Sequence, residues 1–221
     1  MRYKAAVFDM DGTILNTLDD LCASLNHVMA ETGHRSDFTP GEVGAFFGSG
    51  AEEAMARALR TEGGGNTEPE EARRVFEVFR IWYPAHCEIN TRPYPGIPEL
   101  LTKLRAKGVK TAVVSNKLDA AVQALCKTHF SGLIDAALGE REPVVRRKPA
   151  PDMTLAALER LGVPPSEAVY IGDSEVDLLT AANAGMDCVA VSWGFRSRDV
   201  LAAHGAARIA DDPEALLCEI L

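Results

Sequence analysis

No apolar run in this 221-residue chain approaches the roughly 18 residues needed to cross a bilayer. Nor does Met1-Arg2-Tyr3-Lys4 open a signal peptide, since it leads straight into an apolar strand. The five cysteines, Cys22, Cys87, Cys126, Cys188 and Cys218, are odd in number and include no CxxC pair. Neither a disulfide framework nor a zinc site is therefore indicated. Positive charge is scarce: 23 Lys and Arg against 32 Asp and Glu leave a net charge of −9. That balance argues against nucleic acid or an anionic membrane as partner, because both select basic faces. It leaves an anionic small molecule open, since one site needs only local cations. Internal repeats and low-complexity tracts are missing as well. The expectation is a cytoplasmic protein, monomer or homodimer, of one large or two modest domains.

What is present centres on Val7-Phe8-Asp9-Met10-Asp11-Gly12-Thr13. Residues 4–8 are apolar and bounded by polar turn residues, which predicts a buried strand. In an open parallel sheet the C-terminal edge is where ligands bind, so Asp9 and Asp11 become candidates for chemistry; taken alone, they also fit a solvated Asp-Gly turn. Helical spacing then predicts a helix from Leu18 to the stop at Gly33. A short piece follows Thr39-Pro40, then a helix over 51–61, a breaker at Gly63-Gly64-Gly65, and a helix over 69–85. No strand pattern occurs between Asn16 and Asn90. After the proline-rich Arg92-Pro93-Tyr94-Pro95-Gly96, helices and strands alternate: helix 97–107, strand 110–114, helix 118–128, strand 134–138, helix 151–161, strand 168–172, helix 175–184, strand 188–192, helix 197–203, a short strand near 207–210 and helix 213–220. This alternation predicts an α/β fold, a doubly wound parallel sheet with helices on both faces. The expected domains are a Rossmann-like core of residues 1–15 and 91–221 and an inserted all-helical cap of residues 16–90.

Asp9-Met10-Asp11-Gly12-Thr13 after a first strand resembles motif I of the haloacid dehalogenase-like hydrolase superfamily. Three further segments stand in that superfamily's order: Ser115-Asn116 after Thr111-Ala-Val-Val, then Lys148-Pro149, then Gly172-Asp173-Ser174 with Asp177. The run from Pro93 to Leu100, followed by Val113-Val114-Ser115-Asn116-Lys117, is similar to the phosphoglycolate phosphatase branch. The resemblance implies catalytic Asp9 and Asp11, substrate phosphate held by Ser115, Asn116 and Lys148, and Mg²⁺ held by Asp9, Asp11 and Asp173. Asp9 would be both nucleophile and metal ligand. Asp11 would serve as acid and base through its side chain and as ligand through its backbone carbonyl. Asp177 fits a metal role and a capping-box start at Ser174 equally.

A carboxylate attacking a phosphate dianion meets about 4 kcal/mol of opposition per unit charge pair at 4 Å and an effective dielectric of about 20. For the dianion this is about 8 kcal/mol, close to six powers of ten in rate. Lys148 and a hard divalent cation are the expected sources of compensating charge.

The implied activity is a magnesium-dependent phosphatase acting on a small phosphorylated metabolite, foremost 2-phosphoglycolate, through an aspartyl-phosphate. The alternatives are a phosphoglucomutase-like phosphoryl transferase and a non-catalytic anion-binding module. Asp11 argues against dehalogenase chemistry, because dehalogenases of this superfamily replace that residue. A phosphonoacetaldehyde hydrolase would need a cap lysine, and residues 16–90 contain none. The loop Phe46–Gly50 is expected to govern substrate choice, although Ser49 and Glu52 are also spaced for a capping box.

Overall fold

The computed structural model describes residues 2–62, 67–141 and 145–221, so the glycine breaker at 63–65 lies outside the described residues. In chain order the elements begin with β1 (Ala5–Phe8), β2 (Leu15–Asn16), α1 (Leu18–Glu31), α2 (Pro40–Phe46), α3 (Ala51–Glu62), α4 (Pro69–Trp82) and β3 (Arg92–Pro93). They continue with α5 (Ile97–Ala106), β4 (Lys110–Leu118), α6 (Asp119–His129), β5 (Ala136–Glu140), α7 (Asp152–Leu161) and β6 (Ala168–Gly172). The last are α8 (Glu175–Ala184), β7 (Asp187–Val191), α9 (Arg198–Ala203), β8 (Ile209–Ala210) and α10 (Pro213–Ile220). Two compact units result, Met1–Asn16 with Pro93–Leu221, and Thr17–Arg92. Among the described residues no helix is long and apolar enough to cross a membrane.

The first unit carries a six-stranded sheet in the order β5-β4-β1-β6-β7-β8, parallel throughout. This is the doubly wound α/β fold expected from the alternation. β1 is buried on both faces, as strands of parallel sheets are. Strand periodicity separates its side chains: Ala6 and Phe8 join Val113, Val169 and Ile171 under Ile97, Leu104, Leu125 and Leu216 of α5, α6 and α10. Ala5 and Val7 face the other way, with Ala112, Val114 and Tyr170, against Met153, Leu158 and Ala181 of α7 and α8. Strand order reverses at β1, flanked by β4 on one side and β6 on the other. Ligand crevices form beyond the C-terminal ends of strands at such a reversal.

The second unit is helical. Its interior is built from Leu21, Leu25, Val28, Met29, Met55, Leu59, Val75 and Phe79. Phe79 stacks on Tyr83 with centroids 4.7 Å apart. Trp82 lies between the rings of His27 and His86, at 3.5 and 3.7 Å. α4 ends at Trp82 rather than running on to 85, because the last turn tightens into a 3-10 helix over Tyr83–Ala85 around Pro84. Buried Asp20 joins the two ends of this unit: its carboxylate accepts from Asn90 N, Asn90 Nδ2, Thr91 N and Thr91 Oγ1, all within 3.0 Å. The capping box of this region is at Thr39 and Glu42. Ser49 precedes α3 by two residues, and its hydroxyl accepts from Arg57 Nη2 at 3.2 Å.

Candidate active site

Asp9 continues the register of β1, with its N–H donating to Ile171 O at 2.8 Å, and its side chain is buried. The chain then turns sharply around Met10, whose carbonyl accepts from Thr13, Ile14 and Leu15 N–H groups. Gly12 sits in this turn at φ +82°, where a Cβ would fall 2.3 Å from Asp173 Oδ2. The close approach lets Thr13 Oγ1 donate to Asp173 Oδ1 at 3.1 Å. Phe195 N donates to Asp173 Oδ2 at 2.6 Å from the loop after β7. Gly194 beside it is equally constrained, since a Cβ there would lie 2.3 Å from Asp173 Cβ.

Lys148 places its ammonium 2.8 Å from Asp9 Oδ1 and 2.8 Å from Asp177 Oδ1. Its side chain is 2 % exposed. Pro149 joins it through a cis peptide bond. The lysine is aimed by Asn116, whose Oδ1 accepts from Lys148 N at 2.7 Å and whose Nδ2 donates to Lys148 O at 3.0 Å. The side-chain amide expected on substrate phosphate is thus engaged with the main chain of Lys148. Asp177 both caps and pairs: its Oδ2 accepts from Ser174 N and Oγ at 3.1 and 2.6 Å, closing the capping box at the start of α8, while Oδ1 meets Lys148.

Ser115 and Asn116, followed by Lys117, stand where the sequence predicts the end of β4. Instead the strand continues to Leu118 through a register shift, so that Val114 pairs with Leu138 and Leu118 with Glu140. Such a bulge re-aims side chains, and all three residues are buried. Ser115 Oγ accepts from Lys117 N at 3.3 Å within it. Lys117 Nζ reaches Asp11, 2.8 Å from Oδ1 and 3.1 Å from Oδ2. Room for the bulge comes from Gly139, where a Cβ would stand 2.7 Å from Lys117 O and 2.4 Å from Asp119 Cα.

Asp9, Asp173 and Asp177 each offer an oxygen within 4.8 Å of the others. One ammonium faces these three carboxylates, leaving two negative charges uncompensated if all ionise. Burial pushes Asp9 up to about 7 against the pull of Lys148, with the charges of Asp177 and Asp11 adding to the rise. Burial also drives Asp173 well above the carboxylate range, reinforced by Asp177 and Asp9. Desolvation alone would lower Lys148, but Asp177 and Asp9 outweigh it and hold it raised. Asp9 Oδ1, although beside the ammonium, accepts no aligned hydrogen bond. A buried, charge-rich, oxygen-only donor set suits a hard divalent cation such as Mg²⁺.

The structure therefore brings Asp9, Asp173 and Lys148 together. It places Ser115 and Asn116 on the bulge beside them and Asp11 at Lys117. The sequence assigns Lys117 no partner and sets neither Thr13 nor Tyr170 apart as a site residue. Tyr170, whose ring lies under the Lys148 ammonium at 5.8 Å, reads in the sequence as one more apolar strand residue.

Residues 6–191 match the family model described as Haloacid dehalogenase-like hydrolase. A phosphoglycolate phosphatase of Aquifex aeolicus is 30% identical over 193 residues, 87% of this chain and 86% of that protein. The N-acetylmuramic acid 6-phosphate phosphatase of Pseudomonas aeruginosa is 33% identical over 227 residues, covering 98% and 94%. A solved structure from Lactobacillus delbrueckii subsp. bulgaricus, described only as a candidate phosphoglycolate phosphatase, is 50% identical and superposes with a TM-score of 0.95 over 100% of this chain and 99% of that one.

Proposed function

This chain belongs to the haloacid dehalogenase-like hydrolase family, and we propose that it is a phosphatase hydrolysing a small phosphomonoester that also bears a carboxylate, with 2-phosphoglycolate the first choice. The observation that carries this reading is the Lys148 ammonium set among Asp9, Asp173 and Asp177 at the strand-order reversal. Asp9 is the nucleophile: its carboxylate oxygen bonds to phosphorus as the bond to the leaving oxygen breaks, giving an aspartyl-phosphate that water then hydrolyses. Lys148 offsets the charge of the incoming phosphate. Asp11 donates a proton to the leaving oxygen and takes one from the attacking water. Asp9 and Asp173, with the backbone carbonyl of Asp11 and with Asp177 beside them in the acidic cluster, would hold Mg²⁺, which supplies the remaining positive charge that two approaching anions require. Ser115 is assigned to a phosphate oxygen; Asn116 supports phosphate binding by orienting Lys148.

The carboxylate in this reading rests on the relatives. Phosphoglycolate and N-acetylmuramic acid 6-phosphate, the substrates in the names of the two relatives, share a phosphomonoester and a carboxylate. The test is phosphate release from 2-phosphoglycolate, N-acetylmuramic acid 6-phosphate and an uncharged ester of similar size, each with Mg²⁺ and with EDTA. Magnesium-dependent turnover favouring one acidic ester fits the proposal. Equal rates on all three remove the carboxylate, and transfer to a sugar phosphate in place of water selects the transferase.

A further inference from the structure

Asp11 is the residue to which the proposed function assigns both proton transfers, and its carboxylate does not stand alone. Lys117 Nζ contacts both oxygens, at 2.8 and 3.1 Å, and the lysine side chain is 3 % exposed against 19 % for Asp11. The buried member of the pair is the cation, and the partly open member is the acid. A lysine is a costly residue to bury without a fixed anionic partner, so the geometry specifies where this carboxylate must be. Two independent devices hold Lys117 in place. The register shift in β4 turns residues 115–117 inward, where a regular strand would send alternate side chains to opposite faces. Gly139 leaves space for the Lys117 carbonyl where any Cβ would collide with it.

We infer that Lys117 is the positioning residue for Asp11: by gripping both oxygens it fixes the carboxylate's orientation toward the leaving group and the attacking water. The inference rests on the proposed phosphatase function. When the P–O bond of the substrate breaks, its electron pair goes to the leaving oxygen and the Asp11 proton joins it. Water then attacks the aspartyl-phosphate, its oxygen bonding to phosphorus and its proton passing to Asp11 while the Asp9–phosphorus bond opens. Both transfers need an oxygen of Asp11 on line, and general acid–base catalysis is sensitive to that alignment. Lys117 itself touches neither substrate nor reacting atoms in this scheme, which separates it from a phosphate-binding lysine.

The experiment is a double-mutant cycle with Lys117→Met and Asp11→Asn in the full chain with Mg²⁺, read on p-nitrophenyl phosphate and an alkyl phosphate. The aryl ester leaves with little need of a proton; the alkyl ester needs one. Lys117→Met is expected to lower kcat for the alkyl ester by about tenfold to a hundredfold, the usual range for outer positioning partners, with KM within about twofold. The loss on the aryl ester should be smaller, and the double variant should be no slower than Asp11→Asn alone. Losses that add on the Asp11→Asn background, or a raised KM with unchanged kcat, overturn the inference. Should Lys117→Met not fold, Lys117→Gln keeps a neutral donor and should show the same leaving-group dependence; an equal loss on both esters overturns it. Where wild type is slow on the alkyl phosphate, 2-phosphoglycolate, itself an alkyl ester, takes its place; a wild-type chain that hydrolyses none of these esters refutes the phosphatase function and this inference together, whereas normal wild-type turnover with an additive cycle refutes the inference alone.

Discussion

Lys148 Nζ stands 2.8 Å from Asp177 Oδ1, with the side chains 2 % and 0 % exposed, so a helix-capping residue is also half of a buried ion pair. Removing one partner of such a pair costs more than the pair contributes, because a charge is left without compensation. Without Lys148, Asp177 and Asp9 both lose their counter-charge. Lys148→Met is therefore expected to cost about 3 kcal/mol, the low end for breaking a buried pair, measured by urea unfolding of the metal-free protein. A change below 1 kcal/mol would contradict this account of the pair.

Stability of the metal-free protein should fall between pH 5 and pH 8. Burial holds Asp9 at about 7, above the roughly 3.9 of an unfolded chain. A carboxyl with a raised folded-state pKa binds a proton that the unfolded chain has released. Its contribution is whole below about pH 4 and is lost as the pH climbs through 7. Asp173, raised by burial and the same neighbours, acts in the same direction. Melting in EDTA should show the decline, Asp9→Asn should flatten it, and added Mg²⁺ should raise Tm more at pH 8 than at pH 5. Identical slopes for wild type and Asp9→Asn would exclude Asp9 as the titrating group.

Asp20 acts in the opposite direction and in a different window. Burial alone would raise it, but the donors of Asn90 and Thr91 hold it below its ordinary value. Its stabilisation is complete above about pH 4 and is lost as the pH falls through the depressed folded-state value. Asp20→Asn should cost about 2 kcal/mol at pH 7, on the scale of hydrogen bonds to a charged group. The difference from wild type should narrow at pH 3, and a gap that persists unchanged there would place the effect in packing instead.

Arg57 braces the loop expected to govern substrate choice. It donates from Nη1 to Ala45 O and Phe46 O at 3.3 and 3.2 Å, and from Nη2 to Ser49 Oγ at 3.2 Å. Arg57→Ala should cost about 1 kcal/mol and narrow the kcat/KM ratio between 2-phosphoglycolate and an uncharged ester. A lower Tm with an unchanged ratio would assign the loop to packing alone.

Legibility in the sequence followed how local each interaction is. Strand Ala168–Gly172 and helices Glu175–Ala184 and Pro213–Ile220 fall where apolar runs and start signals put them, because their ends are set by neighbouring residues. β5 begins at Ala136 rather than 134; Asp135 meets Thr111, a partner 24 residues away, through its side chain, which accepts from Thr111 N at 2.8 Å, and its N–H, which donates to Thr111 O at 2.9 Å. β4 outran its predicted end at 114 because Ser-Asn-Lys has loop composition, and its burial depends on Lys148, Asp11 and Gly139. The order of the motifs marked Asp9, Lys148 and Asp173 as candidates, whereas the Lys117–Asp11 and Asn116–Lys148 contacts require coordinates.

β1 has a consequence for how the chain is made. Its hydrogen-bonding neighbours follow it in the chain, starting at Lys110 and Ala168, and the glycine turn after it awaits Asp173 and Phe195. Closing loops of that length before the contacts can compensate makes parallel sheets slow to assemble. During synthesis Ala5–Phe8 is an apolar segment with both edges open, the kind of surface that nascent chains aggregate through and chaperones shield. A ribosome stalled before residue 168 would carry Asp9 and Asp11 beside a half-built sheet, so the acidic cluster is complete only once the chain has emerged through Asp173 and Asp177.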